Sequence, residues 1–145
     1  MMRKIGIGGD HAGFDYKKAI KESLTQKGFE VVDFGPDSDA SADYPDFVHP
    51  LATAVEQGDV ELGIAICGSG NGVCMTVNKH QSIRGALVWN TELSALSRQH
   101  NNANIVCIPA RFISLDLAEE IVDTFLNTEF EGGRHERRVN KIACQ

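Results

Sequence analysis

The run Ile64-Ala65-Ile66-Cys67, followed at once by Gly68-Ser69-Gly70-Asn71-Gly72-Val73, constrains this chain more than any other segment. Consecutive apolar residues, without the alternation of a half-exposed strand, describe a strand buried on both faces. The glycines then let the backbone turn sharply with several amides pointing one way. Val73, Met75, Thr76 and Val77 continue as a helix, with Lys79 near its end. A nest of N–H groups opening a helix attracts a phosphate, a carboxylate or a developing oxyanion. Cys67 at the rim of the nest shares that positive potential, which favours thiolate over thiol. The same window also describes a tight turn with a small buried cysteine, so the rest of the chain has to decide.

A strand buried on both faces needs helices above and below it. Strand-like runs at 4–8, 30–34, 62–66, 85–89 and 105–108 alternate with helical patterns at 14–27, 46–57, from 73, 91–100 and 114–126. Gly28 stops the first helix, residues 35–45 form a loop rich in Asp, Ser and Pro, and Thr91 and Ser114 are the expected N-caps. Gly132-Gly133 sets off a basic terminal helix within 134–143, its body over 136–143. The alternation predicts one α/β domain over residues 1–145, built from right-handed crossovers around a parallel sheet. Ligands of such sheets bind at the carboxyl ends of the strands. There the sequence places Asp10-His11, Cys67-Gly68-Ser69, Asn90-Thr91 and Ala110-Arg111.

Composition narrows the function classes. A formal charge of −6 argues against nucleic acid and acidic membrane as partners, and no apolar run approaches the roughly 20 residues of a membrane span. The amino-terminal Met-Met-Arg-Lys enters a strand pattern directly, unlike a signal peptide, and the four cysteines show no Cys-x-x-Cys pair; a reduced cytoplasmic protein is the expectation. His11, His49, His80, His100 and His135 show no metal-ligand spacing with the cysteines or acids, so no metal is expected. Gly6-x-Gly8 lacks the third glycine of a dinucleotide fingerprint.

Several side chains could carry chemistry, and each has a plainer reading. Asp10 could be only an N-cap, and Cys74 and Cys107 read as packing residues. Ser69 suits the turn, but its hydroxyl can both donate and accept. His100 lies in the polar stretch from Ser97 to Asn104, which otherwise reads as a helix exit and turn. Arg134 and Arg138 are four apart and share a helix face if the terminal helix begins early enough, an arrangement that suits a phosphate. Arg137 suits a solvated helix end.

Taken together, Asp10-His11, Asp43-Tyr44-Pro45, Cys67-Gly68-Ser69-Gly70-Asn71-Gly72, Ser97-Arg98-Gln99-His100-Asn101 and Glu131-Gly132-Gly133-Arg134-His135 resemble the ribose-5-phosphate isomerase B family. That family also contains galactose-6-phosphate and allose-6-phosphate isomerases, and the resemblance runs over essentially the whole chain. It implies a Rossmann-like three-layer α/β/α sandwich with five parallel strands in order 2-1-3-5-4. It also implies a homodimer with active sites at the interface, able to pair into a tetramer. Carried residue by residue, it makes Cys67 the base and His100 the ring-opening acid assisted by Asp10. Ser69 lies beside the reacting oxygens, and the amides of Gly68, Ser69, Gly70, Asn71 and Gly72 hold the enediolate. His11, Arg111, Arg134 and Arg138 contact the phosphate, Asn101 touches the sugar and Tyr44 lines the pocket. Val73 stands where one branch of the family has a Glu base, which places this chain in the cysteine branch.

Aldose–ketose isomerisation needs a base, a shuttle between two oxygens, oxyanion donors and a phosphate anchor; Cys67, Ser69, the glycine turn and the arginines fit those needs without a redox cofactor or metal. The expected reaction exchanges ribose 5-phosphate and ribulose 5-phosphate. Hexose 6-phosphate isomerisation and non-catalytic phosphosugar binding stay open as alternatives. A cysteine phosphatase fits less well, because no arginine closes the loop between Cys67 and Asn78.

Overall fold

The computed structural model describes residues 2–144. Its strands β1 (Lys4–Gly9), β2 (Glu30–Asp33), β3 (Leu62–Cys67), β4 (Gly85–Leu87) and β5 (Ile105–Pro109) form one parallel sheet in the order β2-β1-β3-β5-β4. The helices are α1 (Phe14–Gln26), α2 (Pro45–Glu56), α3 (Asn71–Val77), α4 (Thr91–Gln99), α5 (Leu115–Asn127) and α6 (Arg134–Val139). This is the Rossmann-like three-layer arrangement and strand order expected from the resemblance.

Side chains alternate across the central strands, and the alternation builds two cores. Ile64, Ile66, Val106 and Ile108 face one way, toward Ile20 and Leu24 of α1 and Ile121 and Phe125 of α5. Ala65, Cys67, Ile105 and Cys107 face the other way, toward Leu51 and Val55 of α2 and Val73 and Val77 of α3. Each fully buried Ile or Phe contributes about 1.5–3 kcal/mol of transfer free energy, so the unbroken apolar runs of β3 and β5 reflect burial on both faces. One charged pair ties α1 to β2. Lys17 is 2% exposed, and its Nζ sits 3.0 and 2.8 Å from the two carboxylate oxygens of Asp33. Burial alone would raise the Asp33 carboxyl, but Lys17, the Gly35 N–H and Lys21 outweigh it and hold it below the usual range.

Helix starts follow local chemistry, with corrections to the sequence reading. Ser114 caps α5 as expected, accepting from the Leu117 N–H at 3.1 Å. The cap of α4 is Asn90 rather than Thr91; its Oδ1 accepts from the Leu93 N–H at 2.8 Å, which an amide oxygen one residue earlier reaches readily. β4 ends at Leu87 rather than at 89. The terminal helix runs from Arg134 to Val139, earlier and shorter than 136–143, because Gly133 supplies the positive φ from which it starts and Asn140 closes it.

Candidate active site

The strand order reverses between β1 and β3: the chain leaves β1 for α1 on one face and leaves β3 for α3 on the other. The divergence opens a crevice at the carboxyl ends of these two strands, where ligands of such sheets bind. Asp10 and Cys67 flank it. Asp10 does act as a cap, its Oδ1 accepting from the Gly13 N–H at 3.1 Å, and it is 8% exposed. Its own N–H donates to the Ile66 carbonyl at 3.3 Å, which ties the end of β1 to β3. Cys67 is 6% exposed and is followed by the glycine turn.

Gly70 takes φ 75° at the N-cap of α3, a left-handed conformation that costs a side-chain-bearing residue energy. Ser69 Oγ accepts from the Asn71 N–H at 3.2 Å, so its hydroxyl proton remains free to donate. The next strand end closes on the turn from the side. Ala110 N–H donates to the Cys67 carbonyl at 2.9 Å and Arg111 N–H to the Gly68 carbonyl at 3.0 Å. The Arg111 side chain lies over Gly68, where an added Cβ would sit 3.1 Å from its Cδ.

The loop after β2 folds over the same crevice. With Asp10 and His11, residues 41–46 line a cleft of about 510 Å³. Tyr44 packs on Gly72, whose missing Cβ would lie 2.5 Å from the tyrosine Cζ. The Ala42 N–H donates to His11 Nδ1 at 3.1 Å. That bond makes Nδ1 the acceptor and leaves the proton on Nε2, so His11 offers a donor from its far side.

The remaining candidate residues stand elsewhere. His100 is the C-cap of α4, and α4 runs antiparallel to the strands, so His100 and Asn101 lie at the amino edge of the sheet, before β5 begins. Arg134 and Arg138 lie at that same edge: Glu131 N–H bonds the Gln99 carbonyl, and Cys144 N–H bonds Gln81 ahead of β4. Within one chain, Asp10, His11, Tyr44, Cys67, the 68–72 turn and Arg111 are therefore together, while His100, Asn101, Arg134 and Arg138 form a second group. At about 3.3 Å per residue, β5 alone separates the two groups by roughly 15 Å.

The second group includes neighbours that spacing along the chain does not reveal. The His100 and His135 rings stack with centroids 4.3 Å apart. Their Nε2 atoms lie 3.9 and 3.8 Å from Glu131 Oε1. This is a cluster of possible metal-ligating side chains that the sequence reading did not anticipate, since 35 positions separate its first and last members. Desolvation, and then the charges of His100, Arg134 and Arg138, push the His135 imidazole down from its ordinary value. Cys74 also departs from a simple packing role. A hydrogen bond from Cys107 outweighs burial and, with Asn78 and the Leu87 backbone, lowers its thiol to about 7.

Comparison with known proteins gives the family. The family model for ribose/galactose isomerase matches residues 5–142. A probable ribose-5-phosphate isomerase B of Mycoplasma genitalium is 49% identical, over 98% of this chain and 95% of the relative. A solved ribose 5-phosphate isomerase of Thermotoga maritima superposes with a TM-score of 0.96 at 44% identity, over 99% of both chains. The Mycoplasma genitalium ribose-5-phosphate isomerase B, solved with bound ribulose-5-phosphate, superposes with a TM-score of 0.93 at 48% identity, over 98% of this chain and 95% of that one. With a family match over nearly its whole length and relatives at this identity, the chain belongs to the ribose/galactose isomerase family.

Proposed function

We propose that this protein interconverts ribose 5-phosphate and ribulose 5-phosphate. The observation that carries the reading is the placement of Cys67 and the 68–72 turn at the switch point of the sheet, between Asp10-His11 and Arg111. In this reading Cys67 takes the proton from C2 of the open aldose and returns it to C1. Charge that develops on the two oxygens meets the amides of the turn, and the Ser69 hydroxyl moves a proton between them. His11 presents Nε2–H, and Arg111 its guanidinium, to the phosphate. The buried cap Asp10 assists ring opening, and Tyr44 walls the cleft.

The second group completes the site from another copy of the chain. From C1 to phosphorus a pentose phosphate spans six bonds, about 7–8 Å when extended, which falls short of the sheet-wide gap between Cys67 and Arg138 of one chain. A two-fold dimer with its sheets antiparallel brings the amino edge of each sheet against the carboxyl edge of the other and forms two equivalent composite sites. In each, His100 donates the proton that opens the ring, Asn101 contacts the sugar, and Arg134 and Arg138 grip the phosphate. Apolar surface for such packing is present: Met75, Trp89 and Phe112 are 67%, 53% and 76% exposed, and Ile142 is 52% exposed. No described helix is long and apolar enough to cross a membrane.

The deciding experiment measures kcat/KM for ribose 5-phosphate, allose 6-phosphate and galactose 6-phosphate. The pentose should be preferred, because one extra carbon between anchor and base misplaces the reacting atoms, at a cost on the order of a hundredfold. A preference for either hexose phosphate overturns the pentose assignment, and binding without turnover of any of the three overturns the isomerase reading.

A further inference from the structure

We propose that His100, Glu131 and His135 form a binding site for a late divalent transition cation, zinc above all, which inhibits turnover by occupying His100. The Nε2 atoms of His100 and His135 lie 3.9 and 3.8 Å from the same carboxylate oxygen, Oε1 of Glu131. Ligand atoms of the three residues all fall within 4.8 Å of one another. A point equidistant from three atoms so spaced is no more than about 2.5 Å from each, and zinc takes histidine and carboxylate ligands at about 2.0–2.2 Å. A small inward movement therefore closes the site. Two imidazoles and one carboxylate also choose the cation, since magnesium and calcium favour oxygen donors alone.

The backbone brings the three side chains together. The Glu131 N–H donates to the Gln99 carbonyl at 3.1 Å, which sets Glu131 beside the end of α4, where His100 is the C-cap. Gly132 and Gly133, with φ 67° and 57°, then turn the chain, and the His135 N–H donates to the Gly132 carbonyl at 3.1 Å. His135 returns to Glu131 four residues on. The two rings stack with 14° between their planes, so they must rotate out of the stack for both lone pairs to meet on one ion. The His100 side chain is 40% exposed and that of Glu131 52%, which leaves them room to move. Desolvation and neighbouring positive charge hold the His135 imidazole below its ordinary value and so favour the neutral form that binds metal. Arg134 and Arg138 supply part of that charge and oppose a cation, which makes this a weaker, reversible site than a closed structural zinc centre. Three protein ligands leave the fourth position to water.

The inhibition rests on the isomerase reading above. There His100 gives up the proton that opens the sugar ring. A cation bound to its imidazole takes the place of a ring proton and fixes the ring against Glu131 and His135. At free zinc ten times the dissociation constant, about a tenth of the sites stay empty, so turnover of ribose 5-phosphate should fall on the order of tenfold and return when the zinc is chelated.

The test titrates the full-length protein with Zn²⁺ against a chromophoric chelator at neutral pH. One zinc per chain is expected. Affinity should fall at least 10- to 100-fold in His135→Ala and in Glu131→Ala, the loss that even an outer-sphere partner of a metal site causes. His49→Ala removes a different histidine pair, in which His49 Nδ1 lies 2.8 Å from His80 Nε2, and should bind zinc as the wild type does. Co²⁺ in place of zinc should show d–d absorption without a thiolate charge-transfer band. Circular dichroism confirms that the variants are folded. Unchanged affinity in both cluster variants, a matching loss in His49→Ala, or a thiolate band with Co²⁺ overturns the proposal. The titration does not depend on turnover. Zinc held by this cluster in a protein that never isomerises sugar phosphates refutes the functional reading instead, and bound zinc that leaves ribose 5-phosphate turnover unchanged refutes the inhibition.

Discussion

Subunit complementation gives the sharpest test of the composite site. Two inactive proteins are prepared: Cys67→Ala, which removes the base, and the double variant Arg134→Ala, Arg138→Ala, which removes the phosphate grip. Each lost arginine contact costs about 1.5–3 kcal/mol where it is well formed, or roughly 10- to 150-fold in affinity, so assays run well below KM show the loss fully. When the two proteins are mixed in equal amounts and allowed to exchange subunits, half of the dimers are mixed. In a mixed dimer the two substitutions fall together in one site and leave the other intact, so about a quarter of wild-type activity should return. If instead each chain held a complete site, every site in the mixture would carry one defect and nothing would return. The first outcome is the one the proposal expects, because Cys67 ends β3 while Arg138 lies at the other edge of the sheet. Native mass spectrometry verifies the exchange. Mixed dimers present without recovered activity would refute the reasoning.

Other consequences are open to direct measurement. Cys67→Ala alone should keep the fold and phosphate affinity while losing most turnover, and near wild-type kcat in steady-state assays would remove the cysteine base. Activity should survive EDTA, since amides can hold the enediolate; activity lost on chelation and restored by one divalent cation would count against the scheme. Lys17→Ala should destabilise the fold by about 3 kcal/mol in urea unfolding at pH 7, because it strands the Asp33 carboxylate. Asp33 has a depressed pKa in the fold, so its contribution is fully present above the unfolded value of about 4 and is lost as pH falls through the lower folded value. Wild type should therefore lose more stability than Asp33→Asn between about pH 5 and 2, and parallel pH–stability curves would argue against the pair.

The fold was legible because β3 and β5 lack alternation and the segments between strands carry helical stripes. The half-site at the carboxyl edge was legible for a related reason: a parallel sheet brings the residues just after each strand to one edge, and Asp10-His11, Cys67 and Arg111 all stand at or just past strand ends. His100 and Arg138 resisted that logic. They come at the ends of helices, which return the chain to the opposite edge from Cys67. The stacking of His100 on His135 was hidden by the distance along the chain between the end of α4 and the start of α6. The lowering of the Cys74 thiol was hidden because it depends first on Cys107, a residue of a different element. A helix cap fixed by one side-chain oxygen, as at Asn90, is a local choice that neighbouring Thr91 could equally have suggested.

Gly9 and Gly13 both lie against the carbonyl of Ile66, and a side-chain carbon at either would collide with that oxygen. No side chain therefore intervenes between the backbone that presents Asp10 and the backbone that presents Cys67. For anyone seeking to redirect this scaffold to a longer sugar, the spacing of those two groups is not an adjustable dimension. Mutagenesis libraries are better directed at residues 41–44, which line the cleft, and at positions around Arg134 and Arg138, where the reach of the proposed phosphate clamp can be lengthened without touching the strand ends.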